Sequence, residues 1–97
     1  MIIAQISIAP VGKKISLGNY VKKAVQILRN ETIRCETNAM ATVVETENLN
    51  QLFSAVNHAH TVVLHMPGVK RVITEIKIDD RIDKNATIDD KITAATL

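Results

Sequence analysis

Aromatic residues are nearly missing from this chain: Tyr20 and Phe53 are the only two among 97 residues. Any core must therefore be assembled from Ile, Val, Leu and Met. The same shortage, with no Lys/Arg stripe to interleave with rings, argues against modules that read RNA by stacking its bases. Charge of one sign is not in excess, and a net charge of +2 is too small to suggest a nucleic-acid partner. The single cysteine, Cys35, excludes an intrachain disulfide and fits a reducing compartment. Gly12, Gly18 and Gly68 are the only glycines and form no phosphate-binding pattern. No apolar run approaches a membrane span, and the Met1-Ile2-Ile3 opening, which starts directly in a strand pattern, gives the expectation of no signal peptide. The expectation is a cytoplasmic protein with neither a membrane nor a nucleic-acid partner. CxxC, HxxxH and HExxH are all absent, and His58 and His60, two apart on a helix, point to different sides. No metal site, no cofactor and no catalytic nucleophile–base pair is expected.

What is present suits one small domain over residues 1–97, 46% hydrophobic and 23% charged. A chain this short buries only about 60–70% of its extended surface, so association would add stability. Ile2, Ala4, Ile6 and Ile8 alternate with Ile3, Gln5, Ser7 and Ala9, which predicts a first strand ending at Pro10. Ser16 is a candidate cap for a helix over 17–29, with Leu17, Tyr20, Val21, Ala24, Val25, Ile27 and Leu28 as its apolar stripe. Ile33–Thr37 and Met40–Thr46 form a hairpin about an Asn38-Ala39 turn, pairing Thr37 with Met40 and Cys35 with Thr42. Asn48 caps a second helix to Met66, whose stripe is Leu49, Leu52, Phe53, Val56, Ala59, His60 and Val63. Pro67-Gly68 ends it. Val69–Arg81 is the last strand, with Val72, Thr74, Ile76 and Ile78 towards the core. Thr87 caps a short terminal helix, with Asp90 completing a capping box. The order β-α-β-β-α-β predicts an α+β, ferredoxin-like βαββαβ sandwich. Its four-stranded antiparallel sheet has order 4-1-3-2, with two helices on one face and a short C-terminal helix.

Polar residues interrupt the core-facing layer. Periodicity places Thr37, Thr42, Thr74 and His60 there, beside Met40. Buried hydroxyls and an imidazole each cost about 1–3 kcal/mol unless hydrogen-bonded. They are either satisfied locally within the core, or they converge on a small-molecule pocket. The opposite sheet face carries Ile3, Val43 and Ile73 with Gln5, Glu75 and Lys77, a mixture suited to a second copy of the chain. Asp79-Asp80-Arg81 is either a solvated strand exit, with Arg81 held by a nearby carboxylate, or an anchor at a subunit contact or cationic ligand.

The opening IxxQISIAPVG, the strand MATVVE from Met40 to Glu45, the Ala59-His60 step and the exit RVITEIKIDDR from Arg71 to Arg81 resemble the YkoF-like thiamine-binding protein family over nearly the whole chain. The resemblance implies a ferredoxin-like fold, homo-oligomers that are often tetramers, no enzymatic activity, and binding of thiamine or its hydroxymethylpyrimidine part. Thr42 and Glu45 match the family's TxxE strand, His60 its helix histidine, and Arg71, Thr74, Lys77, Asp79 and Arg81 its last-strand pattern. Asn38, Ala41 and Thr46 stand where many relatives have glycine. The ligand residues so implied are Asn38, Met40, Thr42, His60 and Thr74 for the ring, with Glu45 or Asp79 for the cationic thiazolium. Ile3, Val43, Ile73, Lys77 and Arg81 are the expected oligomer contacts, in a dimer or tetramer. The alternative from another class is a structural or regulatory oligomeric module that binds another protein.

Overall fold

The structure is a computed structural model describing residues 1–12 and 17–96. Its elements are β1 (Ile2–Pro10), α1 (Leu17–Glu31), β2 (Arg34–Thr37), β3 (Thr42–Thr46), α2 (Leu49–Leu64), β4 (Val72–Asp80) and α3 (Ile88–Thr96). The four strands form one antiparallel sheet in the order β2-β3-β1-β4, which is the expected 4-1-3-2 read from the other edge. α1 and α2 pack against each other and on one sheet face. This is the ferredoxin-like α+β sandwich.

Alternation builds the core as the pattern requires. Ile2, Ala4, Ile6 and Ile8 of β1 and Val44 of β3 are buried beneath Ala24, Ile27 and Leu28 of α1 and Leu52, Ala55, Val56, Ala59 and Val63 of α2. Aliphatic burial of this kind contributes about 25 cal/mol for each Å² of apolar surface removed from water. Asn48 caps α2, its Oδ1 accepting from the Gln51 N–H at 2.8 Å, and Gly68 turns the chain towards β4 with φ +84°. The capping box of α3 closes both ways, Thr87 N–H to Asp90 and Asp90 N–H to Thr87. The Ser16 cap lies outside the described residues.

Several expectations need correction. The hairpin turn is one residue further on, at Ala39-Met40, so Thr37 pairs with Thr42 and Cys35 with Val44. Asn38 is the reason: its backbone N–H bonds to the Ala41 carbonyl, while its side-chain oxygen accepts from the N–H groups of Met40 and Ala41. This Asx-type turn outbids the alternative register. Because the shift is two residues, face assignments survive. Met40, however, is lifted out of the strand and is 88% exposed. In α2, Leu49 and Phe53 are exposed and Ala55 takes their place, because the buried stripe is narrower than the sequence pattern suggested. β4 is an edge strand, so its even residues are only half-buried and Ile78 is exposed.

Candidate functional site

A cleft of about 180 Å³ opens where α1 passes over the β2–β3 hairpin. Its walls are Ile6 and Ile8 of β1, Val21, Ala24 and Leu28 of α1, and the hairpin from Thr37 to Thr42. Thr42 is buried, with its hydroxyl 3.4 Å from that of Thr37. A contact that long is a weak hydrogen bond and leaves both hydroxyls with capacity for another partner. Val21, on the apolar stripe of α1, is nonetheless exposed because it faces this cleft rather than packed core. Among the described residues, no side chain lining it is an acid, a base or a thiol. Such a cleft can orient a ligand by hydrogen bonds and apolar contact.

Three of the expected ligand residues, Asn38, Met40 and Thr42, line this cleft. The other four lie elsewhere. His60 and Thr74 meet under α2, with His60 Nδ1 2.6 Å from Thr74 Oγ1, so each satisfies the other. Glu45 does point away from α1 and α2, as parity demands. It is nevertheless only 4% exposed, because the first turn of α3 folds over it and Ile88 donates its N–H to the carboxylate. A carboxylate at a helix N-terminus satisfies an orphan donor and complements the helix dipole. Asp79 is paired with Lys91 of α3, which holds its carboxyl below the usual range.

The remaining candidates sort by the sheet's second face. Ile3 is flanked in register by Glu45 and Asp79, so α3 is anchored on both sides of it. Arg34 completes the clamp by pairing with Asp89 and Glu36, which raises the guanidinium pKa and lowers that of Asp89. Val43 is half-buried, whereas Ile73 and Lys77 are exposed. Arg81 forks onto Asp83, its Nε donating at 2.7 Å, and pulls that carboxyl down to about 2. Burial pushes the Cys35 thiol up, away from the thiolate a nucleophile needs. The role of α3 as a cover for Glu45 is not legible in the sequence, although the one charged residue of β3 is a signal for it.

Among the described residues no cluster of three metal-ligating side chains forms and no helix is long and apolar enough to cross a membrane. A family model described as thiamine-binding protein matches residues 4–96. The chain is 42% identical over 93 residues to UPF0045 protein MJ1052 of Methanocaldococcus jannaschii, covering 96% of this chain and 90% of that one. The crystal structure of the same archaeal protein superposes with a TM-score of 0.87 over 97% of this chain and 94% of that one, at 41% identity. UPF0045 protein YqgV of Bacillus subtilis is 35% identical over 97 residues, covering 95% and 91%. A Bacillus cereus domain of unknown function DUF77 superposes with a TM-score of 0.81 at 31% identity, over 94% and 86%.

Proposed function

This chain belongs to the thiamine-binding protein family, and from that premise we propose that it is a non-enzymatic, homo-oligomeric binding protein for thiamine or its hydroxymethylpyrimidine part. The observation that carries the reading is the hairpin cleft, an apolar slot with hydroxyl and amide groups at one end. At about 30 Å³ per water, its volume matches roughly six waters, room for one substituted six-membered ring. The aminopyrimidine enters the slot between Ile6, Ile8 and Leu28. Thr42 and Asn38 hydrogen-bond its polar edge, and Met40 closes over it as an adaptable apolar flap. A thiazolium, if attached, stays at the mouth. Glu45 and Asp79 are committed to α3 and are not needed for the ring.

Titration calorimetry with thiamine and with hydroxymethylpyrimidine tests the reading. Heat from both, with comparable affinities, is the expected result, because the ring alone occupies the slot. No heat from either at millimolar ligand overturns it. A second reading, docking of another protein, is supported by Leu49 and Phe53, which stand exposed on α2. Co-purification of a stoichiometric protein partner lost in Phe53→Ser would favour that role.

A further inference from the structure

We propose that the hairpin cleft takes its pyrimidine as a phosphate monoester, with the phosphate on the ring methylene held at the mouth by Lys22 and Arg29 of α1. This deepens the reading above and rests on the ring occupying the cleft, though not on the oligomer.

Charge is segregated between the two sides of the sheet. α2, LNQLFSAVNHAHTVVL, contains no acid, and α1, LGNYVKKAVQILRNE, contains only Glu31. Glu31 stands at the last position of α1 and is engaged by His58. Carboxylates are plentiful instead on β4, on α3 and in the loop between them. There Asp79, Asp83 and Asp89 each hold a cation, respectively Lys91, Arg81 and Arg34. Lys22, Lys23 and Arg29 of α1 are exposed and meet no carboxylate among the described residues. The helical layer therefore carries a positive field that its one acid does little to offset.

Two of these cations border the cleft. Val21, Val25 and Leu28 belong to its α1 wall. At about 100° per residue, Lys22 and Arg29 lie about 60° and about 40° round the helix from Val25, both on the side away from Ala24 and Leu28. They stand about 10 Å apart along the axis, one towards each end of the wall. Burial raises the Cys35 thiol, and the positive charge of Arg29 acts against it, which sets that guanidinium beside β2 of the hairpin. The facing wall brings no negative charge, since Thr37–Thr42 holds neither Asp nor Glu. Asn38 spends its Oδ1 on the turn, so its amide has only N–H groups left to offer.

The hydroxyl of hydroxymethylpyrimidine sits on the methylene that carries the thiazolium in thiamine. With the ring in the slot, this methylene points to the mouth. A phosphate there carries close to two negative charges at neutral pH and draws both long side chains inward as charge-assisted donors. A thiazolium in the same place lets them swing back into water, so it gains nothing from them and loses little. The mouth thus favours an anion without closing the cleft to the neutral or cationic ring compound.

Titration calorimetry with hydroxymethylpyrimidine, its phosphate, thiamine monophosphate and inorganic phosphate tests this on the native chain and on K22E, R29E and K23E. The phosphate ester is expected to bind at least about tenfold tighter than the alcohol at about 50 mM salt, and the ratio to shrink at about 500 mM. K22E and R29E bring the ratio close to one. K23E makes the same change in net charge about 160° round the helix from Val25 and keeps the ratio. Thiamine monophosphate, whose phosphate lies beyond the thiazolium, gains little over thiamine, and inorganic phosphate alone gives no heat at millimolar concentration. Circular dichroism of the three variants, all at exposed positions, checks that they fold. Binding of the alcohol with no gain from its phosphate overturns this inference alone, as does a ratio that K22E and R29E retain or that K23E removes equally. No heat from any of the pyrimidines overturns the ligand reading with it.

Discussion

Two polar pairs lie under the helices on the same side of the sheet. Thr37 and Thr42 sit 3.4 Å apart below α1, and His60 and Thr74 sit 2.6 Å apart below α2. The second pair is a completed hydrogen bond, and His60 also borders an open depression on α2 with Phe53, Ser54, Val56 and Asn57. The first is a loose contact at the end of a cleft that Val21 and Ala24 of α1 leave unfilled. Polarity on a core face therefore does not by itself mark a site. What distinguishes the first pair is hydroxyls left with spare bonding capacity at the end of a cleft between α1 and the hairpin.

Substitutions should separate the two regions. The largest effect is expected from Val21→Phe, which projects a ring into the cleft and should abolish ligand heat while leaving the circular dichroism spectrum and melting temperature near native. Next is Glu45→Ala. It strips the α3 N-terminus of a buried, charged acceptor, at about 1.5–3 kcal/mol, and should be read in denaturant unfolding and in faster proteolysis of the terminal helix, with ligand affinity unchanged. Thr42→Val should weaken binding about tenfold, equivalent to about 1.4 kcal/mol. Thr74→Val should instead cost about 1 kcal/mol of stability, because His60 loses its partner, and leave affinity alone. Equal effects of the two on binding would show that the pairs belong to one site.

The smallest effect is electrostatic. Lys91, Arg81 and Arg34 depress the carboxyl pKa values of Asp79, Asp83 and Asp89 in the folded chain. A depressed folded pKa contributes stability that is complete above the unfolded value, about 3.9, and is lost as pH falls through the folded value. For Asp83 that window reaches down to about 2. Amide protection in α3 should therefore fall on acidification from pH 5 to pH 2.5, and modestly, since these ion pairs are solvent-screened. Protection that rises on acidification would contradict the pairing.

Much of the fold was legible because period and punctuation agreed. Ile2, Ala4, Ile6 and Ile8 alternate, Asn48 caps, and Thr87 and Asp90 box a helix start, each a local rule that the structure keeps. The hairpin register was not, because Asn38 can sit inside a turn or just before it, and only its two backbone bonds decide between them. The candidate site was half legible. Asn38, Met40 and Thr42 are close in sequence and stay together. His60 and Thr74 share their layer by parity, but parity says nothing about lateral position across a sheet, and strand order puts β4 and the hairpin at opposite edges.

The sequence by itself determined how the strand residues alternate between the two sheet faces, since side-chain direction in a strand follows from period 2, while Leu49 and Phe53 show that period 3.6 alone did not fix the width of the buried stripe on α2. It also determined the family and hence the sandwich. The tertiary structure alone decided three things: that the cleft is under α1, that Glu45 is buried by α3 rather than offered to a ligand, and that the outer residues of β4 face an open edge. Each depends on how much space neighbouring elements leave or cover, a property of packed volumes that no linear pattern contains.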